Sequence, residues 1–204
     1  MKTTLNQIRE KSPCTDGWAK LLKHLGKTQA DDEALSIVTI LDSNGLADAL
    51  WCLRAVEGYD REIRLYTVWC VRQVQHLMTD QRSIDALDVA ERFANGLATD
   101  KELAAASDAA WDAAWAAASA ASAAGSAAGS ASFAARAASA AWAAAWAARA
   151  ARAASDAWAA SDAWAAASDA RAAASAAASD ARAAQEKRLR EDCAEIDAAI
   201  AQQN

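Results

Sequence analysis

Six tryptophans, Trp111, Trp115, Trp142, Trp146, Trp158 and Trp164, stand in a background of alanine, and Arg136, Arg149, Arg152 and Arg171 are interleaved with them. Those residue types bind rather than catalyse. An indole stacks on a nucleobase, and a guanidinium grips phosphate through two parallel N–H bonds. Asp and Ser can hold sugar hydroxyls, and Ser-Asp pairs recur at 107/108, 155/156, 161/162 and 168/169. The set suits a small nucleotide held in a Trp/Arg-lined cleft. The same rings have a second role open to them: filling the space between alanine helices, where few other large side chains exist.

Groups suited to catalysis do not converge. The two histidines, His24 and His76, sit in no metal-binding or nucleophile motif. Cys14, Cys52, Cys70 and Cys193 have neither zinc nor redox spacing. No glycine-rich phosphate loop occurs, and the carboxylates fall at helix starts or on polar faces. A non-enzymatic protein without metal or cofactor is expected. Cys52 and Cys70 lie in apolar helical patterns and read as reduced core residues, which points to the cytoplasm. The first residues, Met-Lys-Thr-Thr-Leu-Asn-Gln, lack the apolar centre of a signal peptide. The alanine stretch is broken every few residues by Ser, Asp or Arg, so it makes a poor membrane span. Net charge is −6, divided as −3 over residues 1–103, −1 over 104–184 and −2 beyond. No basic stripe exists, which argues against DNA or RNA as partner.

The candidate residues are carried by the stretch from Ala104 to Ala184, 81 residues of which 49 are alanine. Alanine loses no side-chain entropy on ordering and is the best helix former. Alanines at 106, 110, 113, 117, 120, 124, 127, 131, 134, 138, 141, 145 and 148 are spaced alternately by four and three, a seam of coiled-coil period. A second seam runs through 159, 163, 166, 170, 173 and 177. Trp111/Trp146 and Trp115/Trp142 are both centred on position 128.5, between Gly125 and Gly129 with the residues that follow. A helical hairpin turning there would bring each pair together. A second turn near 155 would return Trp158 and Trp164 towards Trp146. Three antiparallel helices, roughly 100–124, 128–153 and 156–198, are predicted. The competing arrangement is one or two very long helices paired between chains, a homo-oligomer joined through its alanine seams.

The first 98 residues read as a helical bundle and 99–204 as an alanine/tryptophan-rich helical region packed against it, so the fold class is all-α. Expected helices cover 5–11, 17–25 with Thr15 or Asp16 as cap, and Asp31 to Leu41 with Asp31, Asp32 and Glu33 in the first turn. Asp42-Ser43-Asn44-Gly45 reads as a turn. Further helices are expected over 46–56, 60–78 and 84–93, the last capped by Ser83. Asp60 to Met78 is apolar around much of its circumference and reads as the central buried helix of this half. Thr99 and Glu102 form a capping box. Lys20, Lys23, His24 and Lys27 make a cationic patch beside the apolar face of Trp18, Leu21, Leu22 and Leu25. Leu50-Trp-Cys-Leu-Arg54 recurs as Val68-Trp-Cys-Val-Arg72, an echo of the kind found in helical repeats such as HEAT arrays.

Three blocks carry a resemblance. They are Gly45 to Ala55 (GLADALWCLRA), Tyr59 to Leu65 (YDREIRL) and Asp88 to Leu103 (DVAERFANGLATDKEL), followed by Ala/Trp/Arg repeats. Over most of residues 12–185 the chain resembles an immunity-protein family of bacterial and phage genomes. The resemblance implies a helical, non-enzymatic protein that neutralises something by binding it, and it transfers no catalytic residue. Three functions follow as expectations. The first is sequestration of a small, nucleotide-derived immune signal in phage–bacterium conflict, with the ten Trp and Arg residues named above as the site. The second is direct blocking of a toxin or defence protein. The third is a structural alanine-coil scaffold.

Overall fold

The computed structural model describes residues 1–123, 138–148, 165, 166, 169, 170, 172 and 178–203. Among them the chain is all-α apart from one two-residue strand pair. That pair joins β1 (Lys2–Thr3) antiparallel to β2 (Leu35–Ser36), with Thr3 opposite Leu35. Helix α1 (Leu5–Glu10) starts at Thr4, whose hydroxyl accepts from the Gln7 N–H at 3.2 Å. Helix α2 (Thr15–Leu25) stops at Gly26, which takes the left-handed φ of 65° that glycine adopts without a Cβ clash. Its N-cap is Cys14; Thr15 and Asp16 lie inside the first turn rather than capping it.

The acidic run does not begin a helix. Asp31 and Glu33 instead hold Lys27 at 2.6 and 2.7 Å, and the chain stays extended to pair with β1. Helix α3 (Ile37–Asn44) therefore starts later, with the Ser36 hydroxyl accepting from the Val38 N–H. The expected turn at 42–45 reduces to Gly45, at φ 93°, between α3 and α4 (Leu46–Cys52). A 3₁₀ turn over Leu53–Ala55 follows α4. Helix α5 (Asp60–Arg72) is shorter than expected and gives way to a 3₁₀ turn at Gln75–Leu77. Helix α6 (Gln81–Ala94) is capped by Asp80, which accepts from the Arg82 N–H at 2.9 Å. Ser83 sits inside the first turn, fully buried, with no partner for its hydroxyl among the described residues. Its expected capping role fails because the carboxylate three residues earlier reaches the free N–H groups first.

Helix α7 (Asp100–Ala123) opens on the capping box: the Thr99 N–H donates to Glu102 at 2.7 Å and the Glu102 N–H donates back to Thr99 at 3.3 Å. Residues 138–148 form α8, and Ala178–Gln203 form α9. The expected boundaries at 124, 128, 153 and 156 lie at or beyond the edge of the described residues.

Two kinds of core result. Leu5, Ile8, Ile37, Ile40, Leu46, Leu50 and Leu53 pack in the first half, closed by Leu189 and Cys193 from α9. Tyr66 donates its hydroxyl to the Gln185 carbonyl at 3.2 Å, and Arg190 pairs with Asp42, so α9 is tied to the first bundle by polar contacts too. On the other side, α8 is packed between Val71, Val74 and Leu87 on one face and Ala86, Ala110 and Ala114 on another. Every alanine of α8 is buried, so burial extends well beyond the seam positions 138, 141, 145 and 148. Methyl side chains permit this, because they let helices approach at the short end of the usual range, about 8 Å between axes.

Candidate functional site

The tryptophans of the alanine helices meet one another. Trp111 lies 4.8 Å from Trp142 and 5.1 Å from Trp146, and Trp115 lies 5.5 Å from Trp142, centroid to centroid. Both ring pairs expected from the centre at 128.5 are in contact, and α7 and α8 run antiparallel side by side. In one unbroken helix, Trp115 and Trp142 would stand about 40 Å apart at 1.5 Å per residue. The interplanar angles are 73–75°, the edge-to-face arrangement that indole quadrupoles favour.

That geometry has a consequence for ligands. A base sandwiched between two rings needs them parallel and about 7 Å apart, two contact distances of about 3.5 Å. These rings are perpendicular and closer, so they fill the space with each other. Trp115, at the end of the cluster, is 63 % exposed. Trp158, Trp164, Arg136, Arg149, Arg152 and Arg171 lie outside the described residues. Of the ten expected site residues, the structure therefore brings four together, as packing partners.

Two other tryptophans line a real opening. A mostly apolar cavity of about 240 Å³ lies between α2 and α4, lined by Trp18 and Leu21 from the first and Ala47, Trp51 and Cys52 from the second. Its polar wall is Asn44 with Asp48. The Asn44 amide donates to the Gly17 carbonyl at 2.8 Å and to Asp48 Oδ2 at 2.7 Å, while its oxygen accepts from Ser43. Asn44 is a strut, with both amide hydrogens committed. Asp48 Oδ1 has no protein partner among the described residues.

Gly17 sets the approach of the two helices. A Cβ there would stand 2.8 Å from Asp48 Oδ2 and 3.1 Å from Cys14 Sγ. Cys14, also on the wall, is exposed, whereas Cys52 is buried and its thiol is pushed up to about 12 by desolvation.

Two cations touch residues of the wall without lining the cavity themselves. Lys20 Nζ reaches the Asn44 carbonyl at 3.5 Å and has no carboxylate partner among the described residues. The Arg54 guanidinium lies 4.5 Å from the Trp51 ring centroid, a cation–π contact. Its Nε is buried without a hydrogen-bond partner among the described residues, and burial draws its pKa below the ordinary arginine value.

The two copies of the repeated motif border different cavities: Trp51 and Cys52 of the first line the one above, and Cys70 of the second lines another, of about 350 Å³, with Val74, Leu77 and Gln185. Both copies show the same alternation of buried and half-buried residues. Three residues before the tryptophan, the first copy has Asp48 and the second has Tyr66. Tyr66 stacks on Trp69 at 6.4 Å, whereas Asp48 and Trp51 both line the cavity. Residues three apart share a helix face, so the Asp48/Trp51 spacing was the sequence signal for this site. Trp18 and Asn44 give no such local signal.

Among the described residues no helix is long and apolar enough to cross a membrane, and no three His, Cys, Asp or Glu side chains group as metal ligands would. No family model, curated protein or solved structure matches the chain.

Proposed function

We propose that this chain is a non-catalytic binding protein that sequesters a small, nucleotide-derived molecule, seated in the cavity between α2 and α4. The resemblance to immunity proteins supplies the setting, phage–bacterium conflict, in which holding a signal is itself the activity. The observation that carries the reading is the pairing of two indoles, Trp18 and Trp51, with one uncommitted carboxylate oxygen, on Asp48, in a single opening. At about 240 Å³ the cavity is below the size that takes a whole drug-sized ligand, about 300 Å³ and upward. One flat ring system fits, with the rest of the molecule outside.

Calorimetry against mononucleotides, cyclic nucleotides and ADP-ribose derivatives tests this. At least one nucleobase compound should release binding heat. No heat from any of them, with a cooperatively folded sample, overturns the reading. A second reading, direct blocking of a protein partner, is favoured by the exposed ring of Trp115. It predicts one stoichiometric partner in a pull-down that is lost on Trp115→Ala.

A further inference from the structure

We infer that the cavity between α2 and α4 selects a guanine nucleotide: the base enters between Trp18 and Trp51 with its donor edge on Asp48, and the phosphate stays at the rim on Lys20. The inference rests on the binding reading above and adds the identity of the base and the place of the phosphate.

A carboxylate beside two indoles would ordinarily suit an organic cation. Here the Trp51 ring already carries the Arg54 guanidinium, and Lys20 stands beside Asn44 at the opening. Arg182 adds a third cation at the same corner, its Nη2 lying 3.4 Å from where a Gly45 Cβ would be, although Glu186 partly offsets it through an ion pair at 3.1 Å. Asp48 is the one charged residue that lines the cavity, and these three cations stand behind its wall at Asn44, Trp51 and Gly45, where they offset that charge. They favour a guest with an anionic tail over a cationic one.

The polar wall then reads the base. An ionised carboxylate only accepts hydrogen bonds, and each oxygen has two lone pairs. Asp48 Oδ2 accepts from the Asn44 amide and lies against Gly17, while Oδ1 has no protein partner among the described residues, so the two lone pairs of Oδ1 are left for a guest. Guanine offers two adjacent donors on one edge, N1–H and the 2-amino group. Adenine sets a ring acceptor beside its amino donor, and uracil flanks its single N–H with carbonyls. Both would turn a lone pair towards the carboxylate. Asn44 cannot compensate, because both its amide hydrogens are held by Gly17 and Asp48.

The test measures affinities of the full chain for GMP, IMP, AMP and guanosine, with Cys14 labelling by a thiol reagent as an independent reporter. Cys14 is exposed on the cavity wall, while Cys52, Cys70 and Cys193 are buried. GMP should bind best and slow Cys14 labelling. IMP, without the 2-amino group, should bind more weakly, and AMP about ten- to a hundred-fold more weakly, as for loss of a hydrogen bond to a charged group. Asp48→Asn, which keeps the side-chain shape, should abolish that preference, and Lys20→Gln should remove the advantage of GMP over guanosine. Equal binding of GMP and AMP overturns this inference and leaves the binding reading standing. No binding by any compound, with Cys14 labelled at the same rate throughout, overturns both. The comparison among compounds needs no variant, so it decides the matter even if Asp48→Asn does not fold.

Discussion

The two halves of the molecule use tryptophan in opposite ways. In the alanine helices Trp111, Trp142 and Trp146 are half-buried among alanines and pack ring edge to ring face. In the first bundle the core is built of Leu and Ile, and Trp18 and Trp51 border a gap that no described residue fills. A high density of indoles therefore marks a packing solution, while a sparse pair beside a carboxylate marks an opening. What matters is the size of the neighbours, which sets whether a ring meets another ring or a void.

The largest effect should come from removing a ring that fills. Trp111→Ala deletes contacts with two other indoles and should destabilise by about 3–5 kcal/mol in denaturant unfolding. Trp115→Ala, at an exposed position with one ring contact, should cost no more than about 1.5 kcal/mol. Equal losses would break the distinction between rivet and rim. Next comes the converse change. Ala144→Leu, at a fully buried position of α8, should cost about 1–3 kcal/mol by overpacking. Ala105→Leu, exposed on α7, should be nearly neutral.

The first bundle should show its own signature in alkali. Unfolded, Cys52 ionises from 9.0; folded, it holds its proton to about 12. Above 9.0 the unfolded chain binds fewer protons, so the stability that is whole below that pH is lost progressively towards 12. The slope should approach about 1.4 kcal/mol per pH unit, and Cys52→Ala should flatten it. The smallest effect belongs to the junction of the halves: Thr99→Ala removes one side of the capping box and should cost about 1 kcal/mol.

Much of the alanine half was legible because its information is periodic. The mirror placement of Trp111, Trp115, Trp142 and Trp146 about one centre predicted which rings would touch, and Thr99 with Glu102 marked where the region starts. The cavity was legible only along its Asp48/Trp51 edge, because Trp18 on α2 and Trp51 on α4 belong to different helices. They meet only because Gly17 lets those helices close on Asp48, a tertiary fact with no local pattern. The acidic run at 31–33 misled for a related reason. Its charges serve Lys27, and the strand pairing of Leu35 with Thr3 outweighs any local tendency towards helix.

One paired titration bears most directly on where binding resides. GMP should be titrated by calorimetry into the unaltered chain, Trp18→Ala and Trp115→Ala. Loss of a stacking partner is worth about 1–3 kcal/mol per base, so Trp18→Ala should weaken binding about tenfold or more. Trp115→Ala should leave it unchanged. Binding that survives in Trp18→Ala and disappears in Trp115→Ala would return the site to the alanine helices and contradict the account.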